Sequence, residues 1–181
     1  MRCEECSEPL AVAGRGRIPR FCSTRCRVVA HRRRAQLPAE LLAAARWVRH
    51  DAKRPITSSG APASSTDPAT WTDHRTAARS RAGDGLGFVL GGGFACLDLD
   101  HCLDERGRPN AYAAAVLGRL PDAYVEVSPS GDGLHVWGRA PELPGRRHRE
   151  LEAYSVGRFI TVTRRVHRPG GLADLEAWFL D

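Results

Sequence analysis

Apolar and polar positions divide the chain into stretches of different texture. Residues 1–35 are rich in cysteine and arginine and carry no sustained apolar period. Residues 36–52 carry leucine, alanine and valine at helical spacing behind Pro38, and this pattern predicts a helix. Residues 53–70 are rich in Pro, Ser, Gly and Thr, which is typical of a loop.

The remaining residues, 71–181, alternate between strand and helix patterns. Short apolar runs bounded by Gly, Pro or Ser predict strands, and helical periodicity or alanine-rich composition predicts helices. Strands are expected at 87–90, 94–99, 123–127, 133–138, 151–154 and 158–163, and helices at 71–81, 110–120 and 173–180. Because strands outnumber long helices and do not alternate with them regularly, we expect an α+β fold.

Composition adds bounds to this picture. Of 181 residues, 42% are hydrophobic and 27% are charged, which is ordinary for a globular protein and excludes a wholly disordered chain. No run of apolar residues is long enough to cross a membrane, and the N-terminus lacks the apolar segment of a signal peptide. These observations predict a cytoplasmic protein with no membrane contact.

The positive charge is concentrated at the N-terminus. Residues 1–35 contain nine arginines and three glutamates, so the net charge of +6 lies within this stretch, and residues 36–181 are neutral overall. A basic segment attached to a neutral body indicates a polyanion-binding module, most often for nucleic acid. The chain therefore divides into a basic module at 1–35 and a larger domain at 36–181.

Four cysteines in the basic module are spaced as metal ligands. Cys3 and Cys6 form a C-x2-C pair, Cys22 and Cys26 form a C-x3-C pair, and His31 is an alternative ligand on the helix expected at 23–34. Two such pairs can close a tetrahedral zinc site. A module this short needs the metal to fold, because it cannot bury enough apolar surface. A structural or protein-binding zinc module remains an alternative to one that contacts DNA.

An apolar run beginning at Phe94 leads directly into Asp98-x-Asp100. The two-residue period of a strand places both carboxylates on one face, where they can share a divalent metal such as Mg2+ or Mn2+. A solvated pair at a strand end is the plainer interpretation. A calcium loop is a second alternative, although the glycine that such a loop requires is missing.

Two further motifs follow along the chain. Residues 128–135 read Ser-Pro-Ser-Gly-Asp-Gly-Leu-His, a turn whose N–H groups and hydroxyls can hold phosphate beside His135. The next strand pattern supplies a third acidic position at Glu152, followed by Arg158 as a candidate phosphate ligand. The plainer interpretation is a structural histidine and an ordinary solvated strand face.

Taken together and in this order, the motifs resemble those of the archaeo-eukaryotic primase superfamily, especially the bifunctional primase–polymerase domains of phages and mobile elements. The resemblance covers most of residues 38–181. It extends to Arg46-Trp-Val, to Lys53-Arg-Pro-Ile, to Ala-Ser-Ser-Thr-Asp-Pro-Ala-Thr-Trp at 63–71, and to Gly-Leu-Gly-Phe-Val-Leu at 85–90. It implies a catalytic core with an RRM-like antiparallel sheet, here preceded by the small zinc-binding module.

The resemblance also implies roles for individual residues and an activity. Asp98, Asp100 and Glu152 would be the catalytic carboxylates that bind Mg2+ or Mn2+, and Ser130, His135, Arg158 and Lys53 would bind the nucleotide. The implied reaction is template-directed nucleotidyl transfer on single-stranded DNA from nucleoside triphosphates. The setting would be replication of a phage, plasmid or mobile element, with a separate replicative helicase as a candidate partner.

This sequence departs from the family pattern at two places. Asp132 lies within the Ser/Gly turn where a small residue is usual, and its charge is expected to weaken triphosphate binding unless it points away. Thr163-Arg-Arg stands where Thr-Gly is common. Two alternatives remain: a degenerate replication-accessory protein that only binds DNA, and a metal-dependent nuclease that uses the same carboxylates. His135 and its turn favour a triphosphate site over the nuclease.

Overall fold

The computed structural model describes residues 1–10, 19–34 and 36–180. It divides the chain into two compact units, one ending at Gln36 and the other beginning at Leu37. The alternative zinc ligand His31 has a side chain outside the described set, as do residues 14–18 of the basic loop. Within the described residues, none of the helices combines the length and the apolar character needed to cross a membrane.

The first unit is held by a few backbone contacts around its cysteines. The N–H of Cys3 donates to the carbonyl of Glu8, and a bridge joins Arg2 to Pro9. Helix α1 (Thr24–Arg34) follows, close to the helix expected at 23–34. Among the described residues of this unit, the buried hydrophobic side chains are Cys3 and Ala30, so we expect the unit to depend on its cysteine cluster for order.

The second unit contains short helices and two antiparallel sheets. Its helices are α2 (Ala39–Ala43), α3 (His74–Arg79), α4 (Ala111–Arg119) and α5 (Ala177–Leu180), with a 3-10 turn at Pro68–Thr70. Its strands are β1 (Trp47–Asp51), β2 (Arg54–Ile56), β3 (Gly85–Val89), β4 (Phe94–Leu99), β5 (Val125–Val127), β6 (Leu134–Arg139), β7 (Arg146–His148), β8 (Leu151–Tyr154), β9 (Phe159–Val162), β10 (Val166–Arg168) and β11 (Ala173–Asp174).

Within the described residues, one sheet has four strands in the order β2-β1-β3-β9. The other has seven strands: six run in the order β10-β5-β6-β4-β8-β7, and β11 lies parallel beside the end of β6. This mixed architecture agrees with the expected α+β class. The narrower RRM-like description stays a prediction from the resemblance.

Two hydrophobic cores cover the two faces of the seven-stranded sheet. One core lies between this sheet and helices α4 and α5, and includes Leu97, Val116 and Phe179. The other lies between the two sheets, and includes Phe88, Trp137 and Ile160. Because β4 is central and nearly all its residues are buried, it reads as the continuous apolar run seen in the sequence.

The helix expected at 36–52 is wrong beyond Ala43. The chain instead enters strand β1, where Trp47 and Val48 are both fully buried and the Trp47 ring contacts Phe88 edge to face. A two-residue turn, Ala52–Lys53, then closes a hairpin with β2, inside the stretch expected to be a loop. The sequence carries no signal for this turn, because hairpins of this kind ordinarily use Asn-Gly.

Smaller differences have similar causes. The helix expected at 71–81 is limited to α3, whose start is capped by the Asp73 carboxylate accepting from the N–H of Thr76. The helix expected at 173–180 is divided into β11 and α5. Strand β7 was not expected, because all its residues are exposed and leave no apolar alternation to detect.

Candidate active site

Three side chains of the seven-stranded sheet lie side by side across neighbouring strands. Asp98 on β4 pairs in register with His135 on β6 and with Glu152 on β8. Directly opposed residues of antiparallel strands share a face, so the three side chains form one row. The row continues to Glu126 on β5 and to Arg147 on β7.

This row begins where the core between the sheets ends. Two residues before Asp98, Cys96 is fully buried between Trp137 and Tyr154 on the same face. Beyond the row, the N–H of Asp100 donates to the carbonyl of Glu150, so the ladder continues past the end of β4. The carboxylates therefore stand on an apolar base at the edge of the core.

A cleft of about 910 Å3 opens above the row and is lined by residues of both sheets. All seven site residues expected from the sequence line it: Lys53, Asp98, Asp100, Ser130, His135, Glu152 and Arg158. Residues more than a hundred positions apart in the chain are thus brought to one surface.

The carboxylates crowd one another at the base of the cleft. Burial, together with the charges of Asp100 and Glu152, raises the pKa of Asp98, although His135 works in the opposite direction. Oδ1 of Asp98 is buried and has no hydrogen-bond partner among the described residues. Its nearest cationic candidate is Nε2 of His135, 3.7 Å away. An unused acceptor near other carboxylates suits a hard divalent cation. Among the described residues, the four cysteines bring their ligand atoms within 4.8 Å of one another, and the side chains of this row do not form such a group.

Glu152 is held by neighbours on two sides. The hydroxyl of Tyr154 donates to its Oε2, and Nε of Arg147 lies 3.3 Å from its Oε1. Burial and this hydrogen bond raise the pKa of Tyr154 to about 12. The guanidinium of Arg158 lies over the Tyr154 ring at 4.3 Å, which keeps a positive charge beside the carboxylates.

The Ser/Gly turn is tight and is held by hydrogen bonds within it. The N–H of Ser128 donates to the carbonyl of Gly133, and the N–H of Gly131 donates to the carbonyl of Ser128. A Cβ at Gly133 would stand 2.7 Å from the Leu99 carbonyl oxygen, so a side chain does not fit there. The turn presents Ser130 to the cleft and leads into β6 just before His135.

Asp132 does not stand as an unpaired charge in this turn. Its Oδ1 accepts a hydrogen bond from the Ser130 hydroxyl, and its Oδ2 lies 2.6 Å from Nδ1 of His101. These two contacts lower the pKa of Asp132, and Asp132 in turn raises the pKa of His101. The charge that looked out of place in the sequence therefore has a partner, which the sequence did not reveal.

Glu126 is a site residue that the sequence analysis missed. It is fully buried, and its Oε1 lies 3.5 Å from Nδ1 of His135 and 3.3 Å from Nε1 of Trp137. Its Oε2 accepts from the backbone N–H of Arg164 at 2.9 Å. The available signal was an acidic residue within an apolar strand directly before the Ser/Gly turn. Burying a carboxylate in this way requires such donors.

Two features of the four-stranded sheet were also missed. His50 lines the cleft, stacks on Phe159, and has its pKa lowered mainly by burial. Lys53 reaches the cleft from a turn in which both Ala52 and Lys53 have positive φ, 43° and 68°. Non-glycine residues seldom adopt this conformation, so the turn that carries Lys53 is strained.

The cysteine cluster is a second candidate metal centre, in the first unit. The sulfur atoms of Cys3, Cys6, Cys22 and Cys26 all lie within 4.8 Å of one another. Sγ of Cys22 lies 3.5 Å from Sγ of both Cys6 and Cys26. A Zn–S bond of about 2.3 Å puts the sulfurs of a tetrahedral site about 3.8 Å apart, so the cluster has the right size for zinc. Desolvation opposes ionisation of Cys3, but backbone N–H donors outweigh it and lower the pKa to about 6.

Two comparisons with known proteins found matches that cover most of this chain. Residues 26–172 match the family model described as bifunctional DNA primase/polymerase, N-terminal. The chain belongs to this family. It is also 40% identical to the DNA primase-polymerase of Nitratiruptor phage NrS-1, in an alignment that covers 67% of this chain and 19% of the phage protein. The chain thus spans about a fifth of that relative, and the matched family region contains every residue of the carboxylate row.

Proposed function

We propose that this chain is a template-directed nucleotidyltransferase that makes or extends primers on single-stranded DNA from nucleoside triphosphates. The observation that carries the proposal is the in-register row of Glu152, Asp98 and His135. Asp100, two residues after Asp98, and several basic residues line the same cleft. A row of this kind combines a place for divalent cations with a place for phosphates. Family membership supports the same reaction class.

Asp98, Asp100 and Glu152 would hold two divalent cations, Mg2+ or Mn2+. When bound, such cations activate the primer 3′-hydroxyl and neutralise the triphosphate and the departing pyrophosphate. The chain's part is to fix the carboxylates: Asp98 by the central strand, and Glu152 by the Tyr154 hydroxyl. No separate general base is required for this chemistry.

The basic and hydroxyl side chains would hold the triphosphate. Ser130 stands at the tip of the Ser/Gly turn, His135 projects from β6, and Arg158 lies over the Tyr154 ring. Lys53 approaches from the other sheet. Donors placed on both walls of a cleft can orient a triphosphate, which is most of what phosphoryl transfer needs from a protein.

A primer-synthesis assay tests the proposal directly. The full chain is incubated with a single-stranded template, labelled nucleoside triphosphates and Mn2+ or Mg2+, beside Asp98→Ala and Asp100→Ala variants. We expect template-dependent product from the wild type and at least a 100-fold loss in each variant. Asp104→Ala, a change of an exposed carboxylate bound to Arg108, is the matched control and should retain activity.

The same assay separates the alternatives. Metal-dependent shortening of labelled DNA, with no use of triphosphate, would replace the proposal with a nuclease. Metal-dependent triphosphate binding without product would indicate a missing partner, such as a separate replicative helicase. Neither product nor triphosphate binding would leave a degenerate domain that only binds DNA.

For the first unit, we propose that the four cysteines bind zinc and that its arginines contact the phosphates of DNA. Arg25 and Arg27 are exposed on helix α1 beside Cys26. Each phosphate contact adds to the salt dependence of DNA binding. Changing both residues to serine in the full chain should lower the steepness of log affinity against log salt concentration by about 1.4 on single-stranded DNA. An unchanged slope would leave the unit a structural or protein-binding module.

A further inference from the structure

Asp132 poses a question that the proposed triphosphate site leaves open. A carboxylate inside a phosphate-binding turn should repel a triphosphate, since like charges a few ångströms apart disfavour each other even when solvent screens them. Yet Asp132 is tied to two neighbours, Ser130 and His101, and is not itself among the described residues that line the cleft. Both of those neighbours do line it.

His101 is placed by this contact. It follows Asp100 in a backbone conformation with φ of 48°, which turns the chain sharply at the end of β4. Its Nδ1 is engaged by Oδ2 of Asp132 at 2.6 Å, and the side chain as a whole is 80% exposed. The ring atom left for another partner is Nε2. Asp132 also restricts the ring, which would otherwise be a free surface side chain with little capacity to orient a ligand.

We propose that Asp132 and His101 act as a phosphate-binding pair, in which Asp132 holds His101 so that its ring supplies a second histidine contact to the triphosphate. This inference rests on the proposed function and adds a binding residue to it. His135 contacts the triphosphate from the sheet, and His101 contacts it from the loop after β4. The acidic residue in the turn is then an indirect aid to binding an anion.

The backbone supports the same arrangement. The N–H of Leu103 donates to the carbonyl of Asp132 at 2.8 Å, so the loop after β4 and the Ser/Gly turn are joined by a main-chain bond as well as by the side-chain pair. Asp132 therefore sits in one position relative to His101. Its bond from Ser130 fixes the turn at the same time, so one carboxylate orders two cleft-lining side chains.

The two interpretations of Asp132 predict opposite changes in triphosphate affinity. If Asp132 only repels phosphate, Asp132→Ala should tighten triphosphate binding. If it holds His101, Asp132→Ala should weaken binding about fivefold to tenfold, as expected when an ordinary hydrogen bond at an exposed site is lost. Binding of a nucleoside triphosphate to the full chain is measured by calorimetry for the wild type, Asp132→Ala, His101→Ala and the double variant, each at one fixed Mg2+ concentration.

Two controls make the comparison specific. Asp104→Ala removes a carboxylate of similar exposure, 40% against 44%, from the same loop region, and should leave affinity within about twofold. Ser130→Ala shows how much of the Asp132 effect passes through the serine. All these side chains are exposed or lie in turns, and a thermal melt of each variant shows that it is folded.

The expected result is that Asp132→Ala and His101→Ala weaken binding by similar factors and that the double variant is no weaker than His101→Ala alone. Tighter binding by Asp132→Ala overturns the inference, as does a His101→Ala variant that binds like the wild type. Equal losses in Asp132→Ala and Ser130→Ala, with His101→Ala unaffected, also overturn it. A wild-type chain that binds no triphosphate refutes the proposed function itself, a separate outcome.

Discussion

The two candidate metal centres of this protein are built in opposite ways. The four cysteines come from one short segment, in which Ala30 is the other buried hydrophobic residue beside Cys3 among the described residues. The carboxylates come from strands far apart in the sequence, and those strands are fixed by two hydrophobic cores. We expect the cysteine centre to need its ion in order to fold, whereas the strands that carry the carboxylates are fixed by their cores without one.

This difference teaches where metal-binding energy is used. In the cysteine unit we expect metal binding to drive folding, because the unfolded segment presents no site. In the cleft we expect a bound cation to relieve a repulsion that the fold already imposes between Asp98 and the charges of Asp100 and Glu152. Removing ligands should therefore disrupt the first centre structurally and the second only functionally.

The largest expected effect is on the first unit. Cys22→Ser should abolish zinc binding and unfold residues 1–36, while the second unit keeps its thermal transition. Metal content and hydrogen exchange of the backbone amides measure the two parts separately. Ser23→Ala keeps all four thiols and removes a hydroxyl that accepts from the N–H of Cys26 and contacts Sγ of Cys22, so it should retain the metal. If the backbone amides of residues 1–10 stay protected from hydrogen exchange in metal-free Cys22→Ser, the first unit does not need its metal to fold.

The second prediction concerns Asp98, where the loss of a candidate ligand should stabilise the fold and not unfold it. Asp98→Asn removes a largely buried charge whose Oδ1 has no hydrogen-bond partner and which lies near other carboxylates. Without divalent cations the variant should melt about 2–5 °C above the wild type, although it should lose catalysis. Adding Mn2+ should raise the melting temperature of the wild type and leave that of the variant unchanged. A lower melting temperature for Asp98→Asn in chelator would show that the site is not repulsive.

The third prediction tests whether the turn that carries Lys53 to the cleft is strained. Lys53 has φ of 68°, so Lys53→Gly should stabilise the hairpin by about 1–2 °C while it weakens triphosphate binding. Lys53→Ala loses the same amine and gains no conformational freedom. The two variants should therefore bind triphosphate equally poorly and differ in melting temperature. Equal melting temperatures would mean that the turn stores no strain.

The smallest expected effect is on the melting temperature, and it concerns Arg164, which contacts Glu126 at one end of the row of side chains across the sheet. Arg164 has φ of 57°, and its N–H donates to the buried carboxylate of Glu126. Glycine adopts a positive φ without strain, so Arg164→Gly should raise the melting temperature by about 1 °C and leave binding unaffected. Arg165→Gly, at the next position, is the comparison, because it has no positive φ to relieve and should be neutral or slightly destabilising. Calorimetric melts resolve the two.

Much of the site could be predicted because its chemistry lies in local patterns. The apolar run before Asp98 and the Ser/Gly turn before His135 each indicate one end of a strand that carries candidate site residues. The hairpin that carries Lys53 could not be predicted, because Ala52–Lys53 adopts a turn conformation without the residues that signal it. Lys53 itself was singled out through the resemblance, while the segment leading to it was expected to be helical.

Other parts of the site depend on contacts between distant segments. The pairing of His101 with Asp132 and the burial of Glu126 beside His135 are tertiary facts. A charged residue in a turn or a strand is exposed far more often than it is partnered, so each would be read as solvated from sequence alone. The cysteine cluster was easier to foresee, since its spacing alone indicates the chemistry.

The alignment of the charged row has a consequence for how this domain can vary in evolution. Because side chains alternate between faces, inserting one residue within β8 ahead of Glu152 would turn that carboxylate toward α4 and replace it in the cleft with an apolar neighbour. The connections between strands carry no such restriction, and segments such as 140–145 can change in length without disturbing the row. Homologues should therefore conserve strand lengths strictly and differ in their loops.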